Sequence, residues 1–293
     1  MVALLGTVPP DVRDAVAARA DLIDAAALAA LPADRRQGIT RGLTTAMNGL
    51  DAAMMALLPN LASITSVGAG MDRFDPPALA ARGIALYPTP DVMTEDTAEA
   101  AVGLVFALLR NIVGNDRFVR RGDWARGRAP YGRRVSACRV GIVGLGRIGG
   151  RIAAKLTALG CDVSYTGRGE KEGPWRFEPD LGQLARQVDV LVLSCAGGDA
   201  TRGLVDARIL GLLGPDGYLV NVARGSVVDE PALLDALERG GIAGAALDVF
   251  ASEPNLDARF LDLPNCILQP HASVYTRENR RDLMAEVIRL LGL

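Results

Sequence analysis

Histidine is nearly absent from this chain: His271 is the only one in 293 residues. Lysine is almost as scarce, with Lys155 and Lys171 standing against a background of arginine, a bias of composition rather than of chemistry. The four cysteines (Cys138, Cys161, Cys195, Cys266) are scattered, with no C-x-x-C pair and no metal-ligand spacing. No metal site is expected, and the thiols read as buried and reduced in a cytosolic protein. Neither charge sign is in excess: the formal net charge is −2, which gives no electrostatic case for nucleic acid or an anionic membrane as partner. No apolar run reaches membrane-spanning length; Ala100–Leu109 is the longest notable one and reads as a buried helix. Met1–Gly6 is too short for a signal h-region and lacks a basic n-region. A cytoplasmic location is therefore expected. Internal repeats and low-complexity tracts are also missing.

What the chain does have is length for two domains with full cores and an ordinary apolar content of 49%. Its most informative segment lies mid-chain. Arg139–Gly150 reads R-V-G-I-V-G-L-G-R-I-G-G: an apolar strand at Val140–Val143, then Gly144, Gly146 and Gly149 as G-x-G-x-x-G, then a helix over Ile148–Leu159. In a dinucleotide-binding turn the first glycine allows the bend, the second lets backbone approach a pyrophosphate, and the third lets helix pack on strand. The phosphates would sit on the helix N-terminus.

Around this segment, short apolar runs alternate with helical stretches. Strands are expected at Val2–Leu5, Leu22–Ile23, Ile39–Thr40, Ile64–Val67 and Ile84–Leu86, with helices at Pro10–Ala18, Leu50–Leu57 and Pro76–Arg82. This is the pattern of a small α/β domain with a parallel sheet. Thr94 reads as the N-cap of a long helix with Glu95 and Asp96 in its first turn. It runs to about Val113 and is apolar nearly all round over Ala98–Leu109. Such a helix exposes too much apolar surface for a free monomer, so a homodimer is expected. Arg117–Arg134 reads as a basic loop. Six strands follow, at Val140–Val143, Val163–Tyr165, Val190–Ser194, Tyr218–Val222, Gly244–Leu247 and Cys266–Leu268. Helices between them are expected at Ile148–Leu159, Leu181–Val188, Asp206–Leu213 and Pro231–Arg239. The fold class is α/β, with a doubly wound parallel sheet in each domain. The boundaries fall at 1–93 for the first domain, with 274–293 returning to it as the helix Thr276–Leu291, and 94–273 for the dinucleotide domain.

Three side chains follow strand ends, where ligands bind in open α/β sheets. His271 stands in Q-P-H-A-S after the last strand. Taken alone, that position also fits a structural histidine. Arg224 closes N-V-A-R-G, and Asp248 and Glu253 belong to D-V-F-A-S-E-P. A surface ion pair for Arg224 and a simple turn at Glu253 are the plainer readings of each by itself.

Together these segments resemble the D-2-hydroxyacid dehydrogenases, and the resemblance covers nearly the whole length. It rests on G-L-G-R-I-G, on N-V-A-R-G-x-V-V-D-E at Asn221–Glu230, on L-D-V-F-x-x-E-P at Leu247–Pro254 and on Pro270-His271. G-A-G-M-D at Gly68–Asp72 and T-E-D-T-A-E at Thr94–Glu99 add to it. Within the family the chain is most similar to glyoxylate/hydroxypyruvate reductases. The resemblance implies a Rossmann domain inserted into a flavodoxin-like substrate domain, which accounts for the mid-chain fingerprint. It implies hydride transfer from NAD(P)H to a small 2-keto acid, with His271 as general acid, Glu253 stabilising the imidazolium, and Arg224 holding the substrate carboxylate. Backbone N–H groups of Gly68, Ala69 and Gly70 would face the same carboxylate. Implied cofactor contacts come from Arg147 and Ile148 in the fingerprint, Thr97, the loop Cys195, Ala196 to Thr201, Val222, Ala223 and Arg224, Asp248, His271 and Ser273. The 195–203 loop departs from the family pattern, since Ala196 and Gly197 stand where a proline and a leucine are usual. Leu50, Met71 and Trp124 are candidate neighbours of the substrate side chain, or ordinary packing residues.

The second strand of the dinucleotide domain ends Tyr165-Thr166-Gly167-Arg168, and Asp162 lies at its wrong end to hold a ribose diol. Arg168 suits a 2′-phosphate and Thr166 can hydrogen-bond, so NADP(H) is expected over NAD(H), with Glu170 as a rival diol acid. Three alternatives remain: a dinucleotide-binding regulatory protein of the same fold, an aromatic 2-keto acid reductase, and a phosphoglycerate dehydrogenase-like enzyme.

Overall fold

The computed structural model describes all residues, Met1–Leu293. They divide into two compact units, Met1–Met93 with Tyr275–Leu293, and Thr94–Val274. The first unit carries a parallel sheet of five strands in the order β2-β1-β3-β4-β5. The strands are β1 (Val2–Leu4), β2 (Leu22–Asp24), β3 (Arg41–Thr45), β4 (Ser63–Val67) and β5 (Ala85–Pro88). The third strand begins at Arg41, beyond the Ile39–Thr40 pair expected from sequence; Ile39 is fully buried in the core instead. Leu50 is buried in the same core, so it packs rather than lines a pocket. The helix Arg277–Leu291 lies against the helix Pro10–Ala17 and β4. Thr276 caps it, and Asn279 Nδ2 donates to the Val92 carbonyl at 2.5 Å.

The second unit holds seven parallel strands in the order β12-β11-β10-β9-β6-β7-β8. They are β6 (Arg139–Val143), β7 (Asp162–Thr166), β8 (Arg176–Phe177), β9 (Val190–Leu193), β10 (Tyr218–Asn221), β11 (Gly244–Leu247) and β12 (Cys266–Leu268). Alternate residues of one strand enter different cores: Leu191 and Leu193 pack with Leu184 and Leu210, whereas Val190 and Val192 pack with Ile152 and Leu156. Burial on both faces is why β9 reads as an unbroken apolar run rather than an alternating one.

The long helix starts at Pro90, four residues before Thr94, and ends at Leu109. Proline's fixed φ suits a first helical position, and Asp91 supplies the first-turn acid in place of the expected Glu95 and Asp96. Asn111 then takes a left-handed conformation (φ 49), and the axis bends by 56° into a second helix, Ile112–Arg120. The segment expected to be loop is thus partly helical. The Ala98–Leu109 stretch is also less bare than its composition implies. Ala98, Ala101, Leu104, Val105, Leu108 and Leu109 are buried in their own unit, and the exposed apolar side chains come afterwards: Ile112, Val119, Trp124 and Tyr131. No single helix is long and apolar enough to cross a membrane.

Burial of the thiols follows their strand positions. Cys138, Cys161 and Cys266 are buried and Cys195 half-buried, all unpaired. Burial pushes the Cys195 thiol up to about 11 and that of Cys266 to about 12.

Candidate active site

The carboxyl ends of the central strands finish level. Leu193, Asn221 and Leu247 are paired in register, as are Leu247 and Leu268. The chain leaves β6 in one direction toward β7 and β8 and returns to its other side as β9, making the switch point where open α/β sheets bind ligands.

At that point Gly144 turns with φ +94, and a Cβ there would stand 2.6 Å from Cys195 Cα; one on Gly149 would stand 2.1 Å from the Gly144 carbonyl. Only glycine fits either position. Gly146 is the N-cap of the 12-residue helix Arg147–Ala158, with no side chain capping it and open space where a Cβ would be. This cradle, uncapped and bare of side chain, fits a dinucleotide pyrophosphate. The second glycine-flanked turn, after β7, is organised from beneath. The buried Tyr165 hydroxyl accepts the Lys171 N–H at 2.6 Å, while Gly167 and Arg168 stay exposed. The Thr166 side chain is buried, its hydroxyl 3.5 Å from the Pro179 carbonyl, so it is turned away from the exposed tip where sequence reasoning had placed it. Thr201 Oγ1 donates to the Ala196 carbonyl at 2.8 Å and closes the 195–201 loop.

Past β12, His271 takes a left-handed backbone (φ 53), unusual for a residue with a side chain. Its N–H donates to the Asp248 carbonyl at 2.9 Å. The buried Asp248 carboxylate accepts from Ala272 N at 2.8 Å and Ser273 N at 3.3 Å. Asp248 therefore fixes the turn that carries the imidazole. Nδ1 of His271 lies 2.8 Å from Glu253 Oε2, and Glu253 Oε1 accepts the Phe250 N–H at 2.7 Å. Burial alone would push the Glu253 carboxyl up. The bonds from His271 and Phe250 and the charges of His271 and Arg224 outweigh it, and the carboxyl lies below its ordinary value.

Arg224 follows β10, its Nη1 donating to the Ala223 carbonyl at 2.8 Å. The buried Asn221 holds this turn twice: Oδ1 accepts from Ala223 N and Nδ2 donates to the Arg224 carbonyl, both at 3.0 Å. Val222 N donates to Leu193 O at 3.2 Å. Sequence reasoning gave Asn221 no role; its place at the head of N-V-A-R-G was the available signal. Gly225 then packs so closely that a Cβ would stand 1.9 Å from the Phe250 carbonyl carbon, bringing the arginine turn onto the Glu253 turn. Thr97 is buried in the long helix of the same unit, and Trp124 is 70% exposed.

In the other unit, Gly68, Ala69 and Gly70 follow β4, and Met71 beyond them is exposed. The Gly68 amide donates to Thr89 Oγ1 at 2.9 Å, and the Gly68 carbonyl accepts from Thr89 N at 3.0 Å. That amide is already engaged, which corrects the expectation for Gly68 as a carboxylate donor.

Known proteins resemble this chain in sequence and fold. The family model described as D-isomer specific 2-hydroxyacid dehydrogenase, NAD binding domain, matches residues 102–273. A 2-ketogluconate reductase of Gluconobacter oxydans is 44% identical over 250 residues, covering 85% of this chain and 81% of its own. A glyoxylate/hydroxypyruvate reductase A of Arabidopsis thaliana is 39% identical over 254 residues, covering 86% and 81%. Among solved structures, the NADPH-dependent glyoxylate/hydroxypyruvate reductase of Sinorhizobium meliloti, in complex with NADP and malonate, superposes with a TM-score of 0.89. It is 35% identical, over 98% of this chain and 91% of that one. With the glycine cradle, the arginine turn and the Glu253–His271 pair all in one such unit, the chain belongs to the D-isomer-specific 2-hydroxyacid dehydrogenases.

Proposed function

We propose that this protein reduces a small 2-keto acid of the glyoxylate or hydroxypyruvate type to the D-2-hydroxy acid. A bound nicotinamide dinucleotide supplies the hydride that reaches the keto carbon. The chain's own residues do the rest. Glu253 engages Nδ1 of His271, which leaves Nε2 to give its proton to the ketone oxygen as the alkoxide charge develops. The Glu253 carboxyl lies below its ordinary value, so it faces Nδ1 as a carboxylate, the charge that would stabilise an imidazolium formed for proton transfer. Arg224 binds the substrate carboxylate through its planar fork and polarises the adjacent carbonyl. The single observation that carries this reading is the 2.8 Å Glu253–His271 contact at the switch-point end of the sheet.

NADP(H) is the preferred coenzyme in this reading. β7 ends at Thr166 with no acid there, exposed Arg168 follows two residues on, and a relative was solved with NADP. The cofactor contacts are those of the glycine cradle, the 195–201 loop and the turns after β10, β11 and β12, and Ala69 and Gly70 remain the substrate-binding amides of their unit. The protein functions as a cytoplasmic homodimer, and the exposed Ile112, Val119, Trp124 and Tyr131 support a covering partner copy.

Steady-state oxidation of NADPH with glyoxylate, hydroxypyruvate, 2-ketogluconate and an aromatic 2-keto acid tests the proposal. Turnover with the small acids, and a lower KM for NADPH than for NADH, is expected. NADPH binding with no turnover on any 2-keto acid refutes it in favour of a regulatory dinucleotide binder.

A further inference from the structure

The Glu253–His271 pair leans on a second carboxylate that the reaction itself does not use. The turn leaving β11 presents two successive backbone N–H groups. Phe250 N is held by Glu253 Oε1, and Ala251 N by Glu230 Oε1. Glu230 opens the helix Glu230–Glu238, which follows the arginine turn. One short turn is thus gripped from two sides by two acids, with Gly225 packed directly against its Phe250–Ala251 peptide. Glu230 is half-buried. Burial raises its carboxyl, the Ala251 N–H works the other way, and Asp257 and Glu253 raise it further. The charged groups that hold the Glu253 carboxyl down are His271 and Arg224. Setting a half-buried acid beside Glu253 works against both charges; the bond to the turn is what the arrangement gains.

We infer that Glu230 is a positioning residue: by holding the Ala251 N–H it fixes the Phe250–Glu253 turn and so aims Glu253 Oε2 at Nδ1 of His271. This rests on His271 being the proton donor.

His271 is the sole histidine, so its Nδ1 proton, hydrogen-bonded to Glu253, gives one low-field resonance in nitrogen-labelled, coenzyme-free protein. Glu230→Ala removes the acceptor. Glu230→Asp keeps the charge but is one methylene too short for the same bond. Both are expected to lose or broaden that resonance and to lower kcat with glyoxylate about tenfold, with KM for NADPH within about twofold of the parent. Glu230→Gln retains an accepting oxygen and is expected to restore both. If Glu230→Ala does not fold, the Asp and Gln variants still decide the matter. An unchanged resonance in Glu230→Asp, or its loss in Glu230→Gln, overturns the inference. His271→Ala separates the two levels: full turnover there overturns the functional reading as well, whereas lost turnover beside an unchanged Glu230→Asp resonance overturns the role of Glu230 alone.

Discussion

Gly225→Ala is the most demanding test of how the Arg224 turn and the Glu253 turn are held together, and of the proposed role of His271. The added Cβ would stand 1.9 Å from the Phe250 carbonyl carbon and 2.2 Å from Ala251 N, whereas ordinary contact begins at 3.4 Å. Both obstacles are backbone, so no side chain can swing aside, and the turns must part by about 1.5 Å. Glu253 is bonded to Phe250 N and to His271, so the displacement passes to the imidazole. A misplacement of about 1 Å at a reacting group costs about a hundredfold in rate, and overpacking costs about 1–3 kcal/mol in stability. The expected result is a kcat on glyoxylate about a hundredfold lower with a smaller loss of NADPH affinity, because the displaced turns after β10 and β11 carry only part of the proposed coenzyme contacts and the glycine cradle lies outside them. Stopped-flow turnover, NADPH fluorescence titration and thermal melting, all well below the variant's midpoint, measure the three quantities. A kcat within about threefold of the parent would show that the two turns are not rigidly coupled.

Other outcomes follow from the same geometry. His271→Ala should lower kcat by about two to four orders of magnitude and leave coenzyme affinity nearly unchanged; comparable turnover would mean that another group supplies the proton. Arg168→Ala should raise KM for NADPH about tenfold and leave that for NADH within about twofold, read from paired saturation curves. Asp189 accepts the Arg139 N–H at 2.8 Å and ion-pairs with Arg139 and Arg133. Burial opposes its charge, but these bonds win and hold its carboxyl at about 2. Its ionised form therefore stabilises the fold by about 2 kcal/mol above its ordinary value, an advantage lost as pH falls toward the lowered one. Asp189→Asn should melt lower than the parent at pH 7, with the gap closing on acidification; a gap constant down to about pH 3 would contradict this.

The dinucleotide unit was legible wherever strand and turn chemistry agreed. β11 and β12 match the sequence reading residue for residue, since each is an apolar run that stops at a polar residue. β8 leaves no trace in the sequence, because two residues at a sheet edge carry no periodicity. The start of the long helix was misplaced because Thr94-Glu95-Asp96 imitates a capping pattern that Pro90 overrides. The helix Ile112–Arg120 is masked in the sequence by its arginines and glycine, since it buries no side chain fully and, of its apolar ones, only Val113 and Phe118 partly. At the site, Arg224, Glu253 and His271 were legible as a set of motifs after strands. Asn221 and Glu230 were not, because each acts on the main chain of a turn, and Glu230 reaches one 21 residues away. Residue type does not encode that kind of contact.

The left-handed backbone at His271 (φ 53) also governs what can replace it. Histidine, asparagine and aspartate tolerate this region better than most side chains; alanine gives up that tolerance, a β-branched residue is worse still, and asparagine visits the region readily. Asparagine is thus the natural substitute for making an inert protein that still folds and loads, and so for trapping coenzyme and keto acid together.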